Sequence, residues 1–366
     1  MSEGRYRALL CVVQVAVADV GAPEARHTEV IDVLDGVQTS PLAEVLADPA
    51  VEVVMHAGRQ DVALLRRVWR TDVHNLFDTQ VAAGFAGLGA QTGYERLLAD
   101  VLGISLAKSA SFTRWDRRPL TAEQVGYARE DVLHLLALSD ALQERLAGTG
   151  RLEWAKEECR PLEDATDERD PEEAWRRLPR VARLNPRARA VAREIAAWRE
   201  RTASVEDRPV AKVLGDAPLV EIAKRRPGDR AALEQIRGVQ PQTLRRRTDE
   251  VLAAVRRGAD APPLSSDDER RPSAESKDAP LIALGEALVR SRAQEAGLAY
   301  ELVASRADLA AIIVAARRGD GEAEARTLRG WRRDLVGTEL LDLLAGRRAL
   351  DVGPDGRLRV QSRQGA

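Results

Sequence analysis

The chain has 366 residues, which at roughly 150 residues per domain predicts two or three domains. Hydrophobic residues make up 44% of the sequence and charged residues 31%, which excludes collagen-like, disulfide-scaffold and wholly disordered classes. The 56 Lys and Arg residues nearly balance the 58 Asp and Glu residues. Over the whole chain this balance argues against a nucleic-acid-binding protein, although segments of opposite charge can cancel in such a sum.

The two cysteines, Cys11 and Cys159, have neither a metal-ligand spacing nor a disulfide framework, which is typical of a reducing cytoplasm. No apolar stretch approaches the roughly 18 residues of a membrane-spanning helix, and the N-terminus lacks a secretory signal pattern. We therefore expect a soluble, cytoplasmic protein with no membrane partner.

The first part of the chain has an α/β pattern. Short apolar runs rich in β-branched residues predict strands at 7–17, 27–34 and 50–57, the last ended by Gly58. A helical pattern follows Gly58 directly, and further helices are predicted at 77–86 and 94–102. Thr121 and Gln124 form a capping-box pattern that opens one long amphipathic helix, continuing to Leu146.

Charge changes sign beyond this helix and marks the domain boundaries. Residues 152–174 contain ten acids against three bases, whereas residues 185–257 contain seventeen bases against ten acids, a net charge of +7. Prolines open the predicted helices of the basic segment, which indicates a compact helical bundle. Residues 259–280 are rich in Pro, Ser and Asp and predict a disordered linker. Helical patterns return at 281–344, and 349–360 predicts a terminal hairpin around Pro354-Asp355-Gly356.

Two places could carry chemistry. Asp61 lies in the first turn of the helix that follows Gly58, near a strand end where α/β sheets bind ligands. Tyr127 and Asp131 are four residues apart, on one face of the capped helix, where a carboxylate can bind a hard cation. Spacing alone favours ordinary roles for both places: an acid that complements the helix dipole, and a half-exposed helix face.

Several runs in the first 160 residues resemble the ribonuclease D family, 3′→5′ exoribonucleases of the Asp-Glu-Asp-Asp class with a tyrosine in the third motif. In chain order they are VVMHAGRQDVALL from Val53, LFDTQ from Leu76, TGYER from Thr92, Lys108-Ser109, TRWDRRPL from Thr113, YARED from Tyr127, and GRLEW from Gly150 followed by EEC from Glu157. Their joint order and spacing carry the resemblance.

The helical segment resembles the HRDC domain, a module shared by helicases and ribonuclease D. The residues that carry this likeness are IAAWR from Ile195, DRP from Asp207, VLGD from Val213, LVEIA from Leu219 and IRG from Ile236. Residues 281–345 are similar to a second, more diverged HRDC-like region.

The resemblance implies an α/β plus all-α protein: an RNase-H-like 3′→5′ exonuclease domain with a mixed sheet, followed by HRDC helical bundles. The boundaries expected are 1–160 for the exonuclease domain, 161–184 for an acidic and basic linker, 185–258 for the HRDC domain, 259–280 for the disordered linker and 281–366 for the second HRDC-like region with its hairpin.

The same resemblance implies the site. Asp61 matches the second-motif aspartate, Tyr127 the third-motif tyrosine and Asp131 the third-motif aspartate. The implied mechanism is phosphodiester hydrolysis with two divalent cations, Mg²⁺ or Mn²⁺. Asp131 would hold the first metal, Asp61 would support the second, partly through water, and Tyr127 would orient the attacking water.

One departure from the family concerns its first motif, an Asp-x-Glu on the opening strand. Glu3 is the one acidic residue among residues 1–6. An Asp-x-Glu pattern does occur at Asp267 and Glu269, but it lies in the expected disordered linker and cannot substitute for the first motif. Two of the four metal-binding acids, and a first, central strand of the sheet, are therefore expected to be missing. Either the physiological protein is longer and active, or the chain is truncated, hydrolyses little and mainly binds RNA.

The resulting hypothesis is a 3′→5′ exoribonuclease that acts on structured RNA ends, with tRNA precursors as the substrate class that the resemblance suggests. Basic side chains of the helical segment would contact the RNA backbone: Arg225, Arg226, Arg245, Arg246 and Arg247. For any one of these arginines a solvated helix face is the simpler explanation. The alternatives are a non-catalytic nucleic-acid-binding protein with a degenerate exonuclease domain, and a protein-interaction scaffold.

Overall fold

The computed structural model describes residues 4–19, 22–106, 114–239, 241–265 and 275–363. Those in 10–166 and 275–363 form one compact unit, and those in 4–9 and 167–265 form another. Within these ranges, no helix combines the length and apolar character that a membrane crossing requires. Several residues named above lie outside the described part: Glu3, Lys108, Ser109, Thr113, Asp267 and Glu269.

Strands of the larger unit pair in twos. β1 (Val12–Asp19) runs antiparallel to β2 (Ala22–Asp32), and β3 (Val53–Met55) runs parallel to β4 (Leu76–Asp78). Both pairing modes of a mixed sheet are thus present, as two separate pairs. The expectation that helix begins at residue 77 is wrong, because the buried segment that includes Phe77 pairs with β3 instead.

Helix α7 (Leu152–Glu163) completes the hydrogen bonding of β4. The backbone N–H of Leu76 donates to the Glu163 carboxylate over 3.0 Å, and that of Asp78 donates to the Cys159 sulfur over 3.3 Å. Side chains of a helix therefore take the place of a neighbouring strand for these two N–H groups.

The other helices of residues 10–166 surround these strands. They are α1 (Ser40–Ala47), α2 (Arg59–Trp69), α3 (Thr79–Phe85), α4 (Tyr94–Leu97) with a π-helical turn at Leu98–Leu102, α5 (Ala122–Leu133) and α6 (Leu135–Gly148). The single long helix expected beyond Thr121 is divided at His134, where the backbone leaves helical geometry. The break lets the buried leucines of α6 face one core while Tyr127 and Asp131 on α5 stay half-buried.

Residues 275–363 pack into the same hydrophobic core as residues 77–155, although the sequence placed 281–366 in a region of its own. Their elements are α13 (Ala279–Glu295), α14 (Tyr300–Val303), α15 (Arg306–Arg318), α16 (Gly330–Arg332), α17 (Thr338–Leu344), β5 (Arg348–Val352) and β6 (Leu358–Ser362). The last two strands pair antiparallel and confirm the predicted terminal hairpin.

Trp331 joins this C-terminal region to residues 77–155. It is 2% exposed, meets Phe85 edge-on at 5.1 Å between ring centroids and stacks on Trp154 at 5.3 Å. Burial of three large aromatic rings against one another makes this contact a main source of the shared core's stability.

The smaller unit is a helical bundle with its own core, built around Ile195, Leu219, Ile222 and Leu233. Its helices are α8 (Pro186–Val205), α9 (Val210–Val213), α10 (Asp216–Arg225), α11 (Arg230–Glu234) and α12 (Pro241–Asp260). The proline starts predicted from the sequence are confirmed, since Pro186 and Pro241 open helices and Pro209 and Pro218 lie at helix starts.

The two linkers expected from composition are partly structured. Trp175 and Leu178, in the expected linker 161–184, are buried in the core of the smaller unit. Of the expected linker 259–280, residues 259 and 260 end α12 and residues 276–278 form a 3₁₀ turn, while residues 266–274 lie outside the described part.

Candidate active site

The carboxyl ends of β3 and β4 meet at one edge, because the two strands are parallel. His56 follows β3, and Thr79 follows β4. The Thr79 hydroxyl donates to the Met55 carbonyl over 3.2 Å and lies 3.0 Å from His56 Nδ1, so the His56 Nδ1–H donates to it. Burial lowers the pKa of His56, which leaves an uncharged ring with Nε2 as an acceptor.

Asp78 is 1% exposed and its carboxylate accepts hydrogen bonds from four backbone N–H groups. Two belong to the turn after β3, from Ala57 at 3.2 Å and Gly58 at 2.8 Å. The other two belong to the first turn of α3, from Gln80 at 2.8 Å and Val81 at 3.2 Å. One carboxylate therefore caps α3 and also fixes the turn that leads into α2.

The turn between β3 and α2 leaves no room for a side chain at Gly58. A Cβ there would lie 2.6 Å from the Met55 Cβ, and the preceding Ala57 has a left-handed φ of 53°. This tight turn sets where α2 begins and hence where the first-turn residue Asp61 is placed.

Asp61 keeps contact with solvent, and within the described residues its carboxylate has no hydrogen-bond or ion-pair partner. Partial desolvation, and next the negative charge of Asp78, raise its pKa. A carboxylate that serves only the helix dipole is stabilised in its charged form, which lowers the pKa. The pKa of Asp61 is raised instead, which is the opposite direction.

Helix α5 carries the other two predicted site residues. Its N-terminus is a capping box, in which Thr121 Oγ1 accepts from the Gln124 backbone N–H and the Gln124 side chain accepts from the Thr121 N–H. Tyr127 and Asp131 lie one turn apart and are both half-buried. Burial, and next the charge of Glu130, raise the pKa of Asp131 to about 6.

Tyr94, at the start of α4, lies close to both parts of the site. Its ring centroid is 5.6 Å from that of His56, and burial together with the negative charge of Asp131 raises its pKa to about 12. Tyr94 therefore packs beside His56 at the strand ends and is near enough to Asp131 for that charge to act on its phenol.

The donor atoms of Asp61 and Asp131 fit a hard divalent cation, because carboxylate oxygens are the ligands that Mg²⁺ and Mn²⁺ prefer. Like Asp61, Asp131 has no hydrogen-bond or ion-pair partner in the described ranges, so a cation would stabilise both carboxylates in the charged form that their raised pKa values disfavour. In those ranges no group of three or more His, Cys, Asp or Glu side chains forms a complete metal site. Mg²⁺ commonly takes its other ligands from water and substrate phosphate.

The five arginines expected to contact RNA all lie in the smaller unit, but they are not equivalent. Arg225 pairs with Glu221 at 2.6 Å, and Arg247 is half-buried between Glu206 and Glu250. The other three are exposed and have no ion-pair or hydrogen-bond partner among the described residues: Arg226, Arg245 and Arg246.

Reasoning from the sequence missed the part that His56, Asp78, Thr79 and Tyr94 play in this geometry. His56 shares its run with Asp61, and the other three stand in the runs LFDTQ and TGYER. Those runs were a signal that these segments matter, but nothing in them showed that they converge at one edge of the β3–β4 pair.

Two family models match separate parts of the chain. Residues 2–147 match a family model described as 3′–5′ exonuclease, and residues 188–255 match the HRDC domain. The exonuclease match supports use of a divalent metal ion, and the two matches together support a nucleic-acid substrate.

Curated relatives extend the likeness along the whole chain. A protein named Ribonuclease D from Granulibacter bethesdensis is 37% identical over 98% of this chain and 88% of its own length. A Ribonuclease D from Gluconacetobacter diazotrophicus is 37% identical over 96% of this chain and 87% of its own length. The crystal structure of Escherichia coli RNase D, described as an exoribonuclease involved in structured RNA processing, superposes with a TM-score of 0.76 at 27% identity, covering 87% of this chain and 86% of that one.

Proposed function

From the premise that the chain belongs to the ribonuclease D family of 3′→5′ exoribonucleases, we propose that it trims the 3′ ends of structured RNA, with tRNA precursors as the leading substrate class. Asp61 and Asp131 hold divalent metal, Mg²⁺ or Mn²⁺, and Tyr127 orients the attacking water. The observation that carries this assignment is that Asp61, in the first turn of α2, and Asp131, on α5, both have a raised pKa and no hydrogen-bond or ion-pair partner in the described chain.

When bound, the metal supplies the positive charge that activates water and stabilises the leaving 3′ oxygen. The chain's own residues prepare for this. Asp131 must be ionised to bind a cation, so its raised pKa of about 6 places the loss of activity in mildly acidic solution. Burial, and next the charge of Asp131, raise the pKa of Tyr127. The phenol therefore stays protonated at pH 7 and can position a water by hydrogen bonding, without acting as a base.

The smaller unit supports RNA binding by its charge. Its basic segment carries a net charge of +7, and three of its exposed arginines, Arg226, Arg245 and Arg246, are not neutralised by described acids. Free guanidinium groups can pair with backbone phosphates, an interaction that weakens as salt rises. The involvement of the E. coli relative in structured RNA processing supports the same substrate class.

The decisive experiment is trimming of a 5′-labelled RNA with a single-stranded 3′ end, followed in Mn²⁺ and in Mg²⁺. We expect Asp131→Asn to lower the rate at least about 100-fold, because the substitution removes an anionic ligand while keeping the shape of the side chain. Glu130→Gln, a carboxylate one position away, is the matched control and should trim at nearly the wild-type rate.

The outcome also decides between the catalytic hypothesis and its alternative. If the wild-type chain trims RNA no faster than Asp131→Asn, this chain is not a nuclease and the non-catalytic RNA-binding alternative stands. A trimming rate that depends on Asp131 would instead contradict the alternative in which the chain hydrolyses little RNA because the Asp-x-Glu motif is missing.

A further inference from the structure

The loop that leads into α5 places an aromatic ring beside Tyr127. The ring centroids of Trp115 and Tyr127 are 6.3 Å apart, with their planes inclined by 39°. Trp115 is half-buried, so part of its surface stays open to solvent. An indole in this position adjoins the residue to which the water-orienting role is assigned.

Arg118 holds this loop in place. Its guanidinium donates to the carbonyls of Trp115 at 2.7 Å and Arg117 at 2.8 Å, and to the Cys11 carbonyl at 3.0 Å, while pairing with Asp32. The backbone that carries Trp115 is thereby tied to the residues that flank β1 and end β2. Because the ring is already positioned, stacking on it would cost little conformational entropy.

The charges around Trp115 leave one cation available. Arg114 is engaged by Asp116 through two parallel hydrogen bonds of 2.9 and 2.8 Å, and the Arg114 side chain lowers the pKa of Asp116 to about 2. Arg117 is exposed, and within the described chain its side chain has no hydrogen-bond or ion-pair partner. A half-exposed indole and an exposed guanidinium without a hydrogen-bond or ion-pair partner in the described chain therefore stand two residues apart on one loop, with the Arg117 charge acting on Asp116 only through space.

We propose that Trp115 and Arg117 form a nucleotide subsite of the exonuclease, where the indole stacks on a base near the RNA 3′ end and Arg117 binds a backbone phosphate. The proposal rests on the proposed function, since it uses the assignment of Tyr127 to the reacting phosphate. An aromatic ring next to a cation suits single-stranded nucleic acid. Every base offers a π-face, so a stacking site tolerates whichever nucleotide the enzyme has just exposed.

The test measures binding, so that it does not depend on turnover. A fluorescent RNA with a single-stranded 3′ end is titrated with the full chain in EDTA, beside RNAs that lack one base at the last, second-last or third-last position. We expect loss of the base at one of these positions to weaken wild-type binding about 5- to 100-fold, the effect of one base–aromatic stack. Trp115→Leu should bind the parent and abasic RNAs equally, and Trp115→Phe should keep part of the difference.

Two further variants serve as controls. Trp69→Leu removes an indole at the far end of α2, about 12 Å along the helix from Asp61, and should discriminate as the wild type does. Arg117→Gln should weaken binding of the parent and abasic RNAs alike and make the salt dependence shallower by about one phosphate contact.

The proposal is overturned if the wild-type chain binds all three abasic RNAs as tightly as the parent RNA. This outcome can be read even if Trp115→Leu fails to fold. A Trp115→Leu chain that discriminates as well as the wild type would also overturn the proposal, because the indole would then act only by supporting Tyr127. Trimming is followed in parallel. If base discrimination is present without any trimming, the subsite stands and the proposed catalytic function fails.

Discussion

Two aspartates of the candidate site have opposite environments. At the strand ends, the carboxylate of Asp78 is 1% exposed and accepts four backbone N–H groups. On the face of α5, Asp131 is half-buried, and no hydrogen bond or ion pair from the described residues reaches its carboxylate. Asp78 therefore stabilises the fold through these four bonds, whereas burial raises the pKa of Asp131 to about 6 and a ligand of positive charge would offset the cost of its charged form.

Because the two residues are chemically the same, their environments alone predict that Asp78 is structural and that Asp131 is functional. Replacing Asp78 should harm stability first, and replacing Asp131 should harm activity while helping stability. The predictions below test that separation, from the largest expected effect to the smallest.

Asp78→Ala should lower the free energy of unfolding by about 3 kcal/mol, because it leaves the buried Gly58 N–H and three partly buried N–H groups without an acceptor. Urea denaturation of the full chain measures the loss. Asp229→Ala is the comparison variant: Asp229 is an exposed helix cap that accepts one hydrogen bond, from the Ala232 N–H at 2.9 Å. Its loss should lower the free energy of unfolding by only about 1 kcal/mol. Equal costs for the two substitutions would show that Asp78 is an ordinary helix cap.

The activity of the wild-type chain should fall about tenfold per pH unit below a pH near 6, where Asp131 becomes protonated. The quantity to follow is kcat/KM between pH 5 and 8 at a subsaturating Mn²⁺ concentration, with circular dichroism showing that the fold persists. A flat profile over this range would mean that Asp131 does not titrate in the free enzyme, or that its charge is not needed.

Asp131→Asn should raise the free energy of unfolding at pH 8 by about 1 kcal/mol, a value reduced for the remaining solvent contact of the carboxyl group. The sign follows from the raised pKa. Folding favours the protonated acid, so the stability that this one group contributes is fully present below about pH 4 and is lost as the pH rises through about 6. The advantage of the variant should therefore vanish at pH 4, and a gain that persists there would have another cause.

The smallest effect concerns the arginines of the smaller unit. Arg246→Gln should weaken RNA binding a few-fold at about 0.1 M salt and reduce the salt dependence by about one contact, because Arg246 is exposed and unpaired in the described chain. Arg225→Gln, at a position paired with Glu221, should change binding less. If the two variants lose the same affinity, intramolecular pairing does not decide which arginines are available.

Much of the site could be expected from the sequence because its signals are local. The capping box at Thr121 and the four-residue spacing of Tyr127 and Asp131 fix these side chains on one helix face. The glycine after the third strand likewise marks the turn that positions Asp61. Each of these features depends on backbone geometry over a few neighbouring residues, so no distant contact is needed to predict it.

The role of Asp78 could not be predicted in this way. Its hydrogen-bond donors come from two segments, and Ala57 and Gly58 are about twenty residues away in sequence. Asp78 falls inside the segment 77–86 that the sequence assigned to a helix, and nothing in that segment indicated either pair of donors. Nor did the sequence show that Tyr94 lies beside His56, or that Glu221 neutralises Arg225 while Arg226 next to it stays free.

The sequence by itself therefore determined the family, the helices that carry Asp61, Tyr127 and Asp131, and the proline starts of the basic helical bundle. Tertiary structure decided that the C-terminal helices share a core with the exonuclease segment through Trp331, and that Asp78 is satisfied where Asp131 is not. The physical reason is the distance along the chain over which each effect acts. Capping, periodicity and turn geometry act within one element, while burial and desolvation depend on which distant segments pack together.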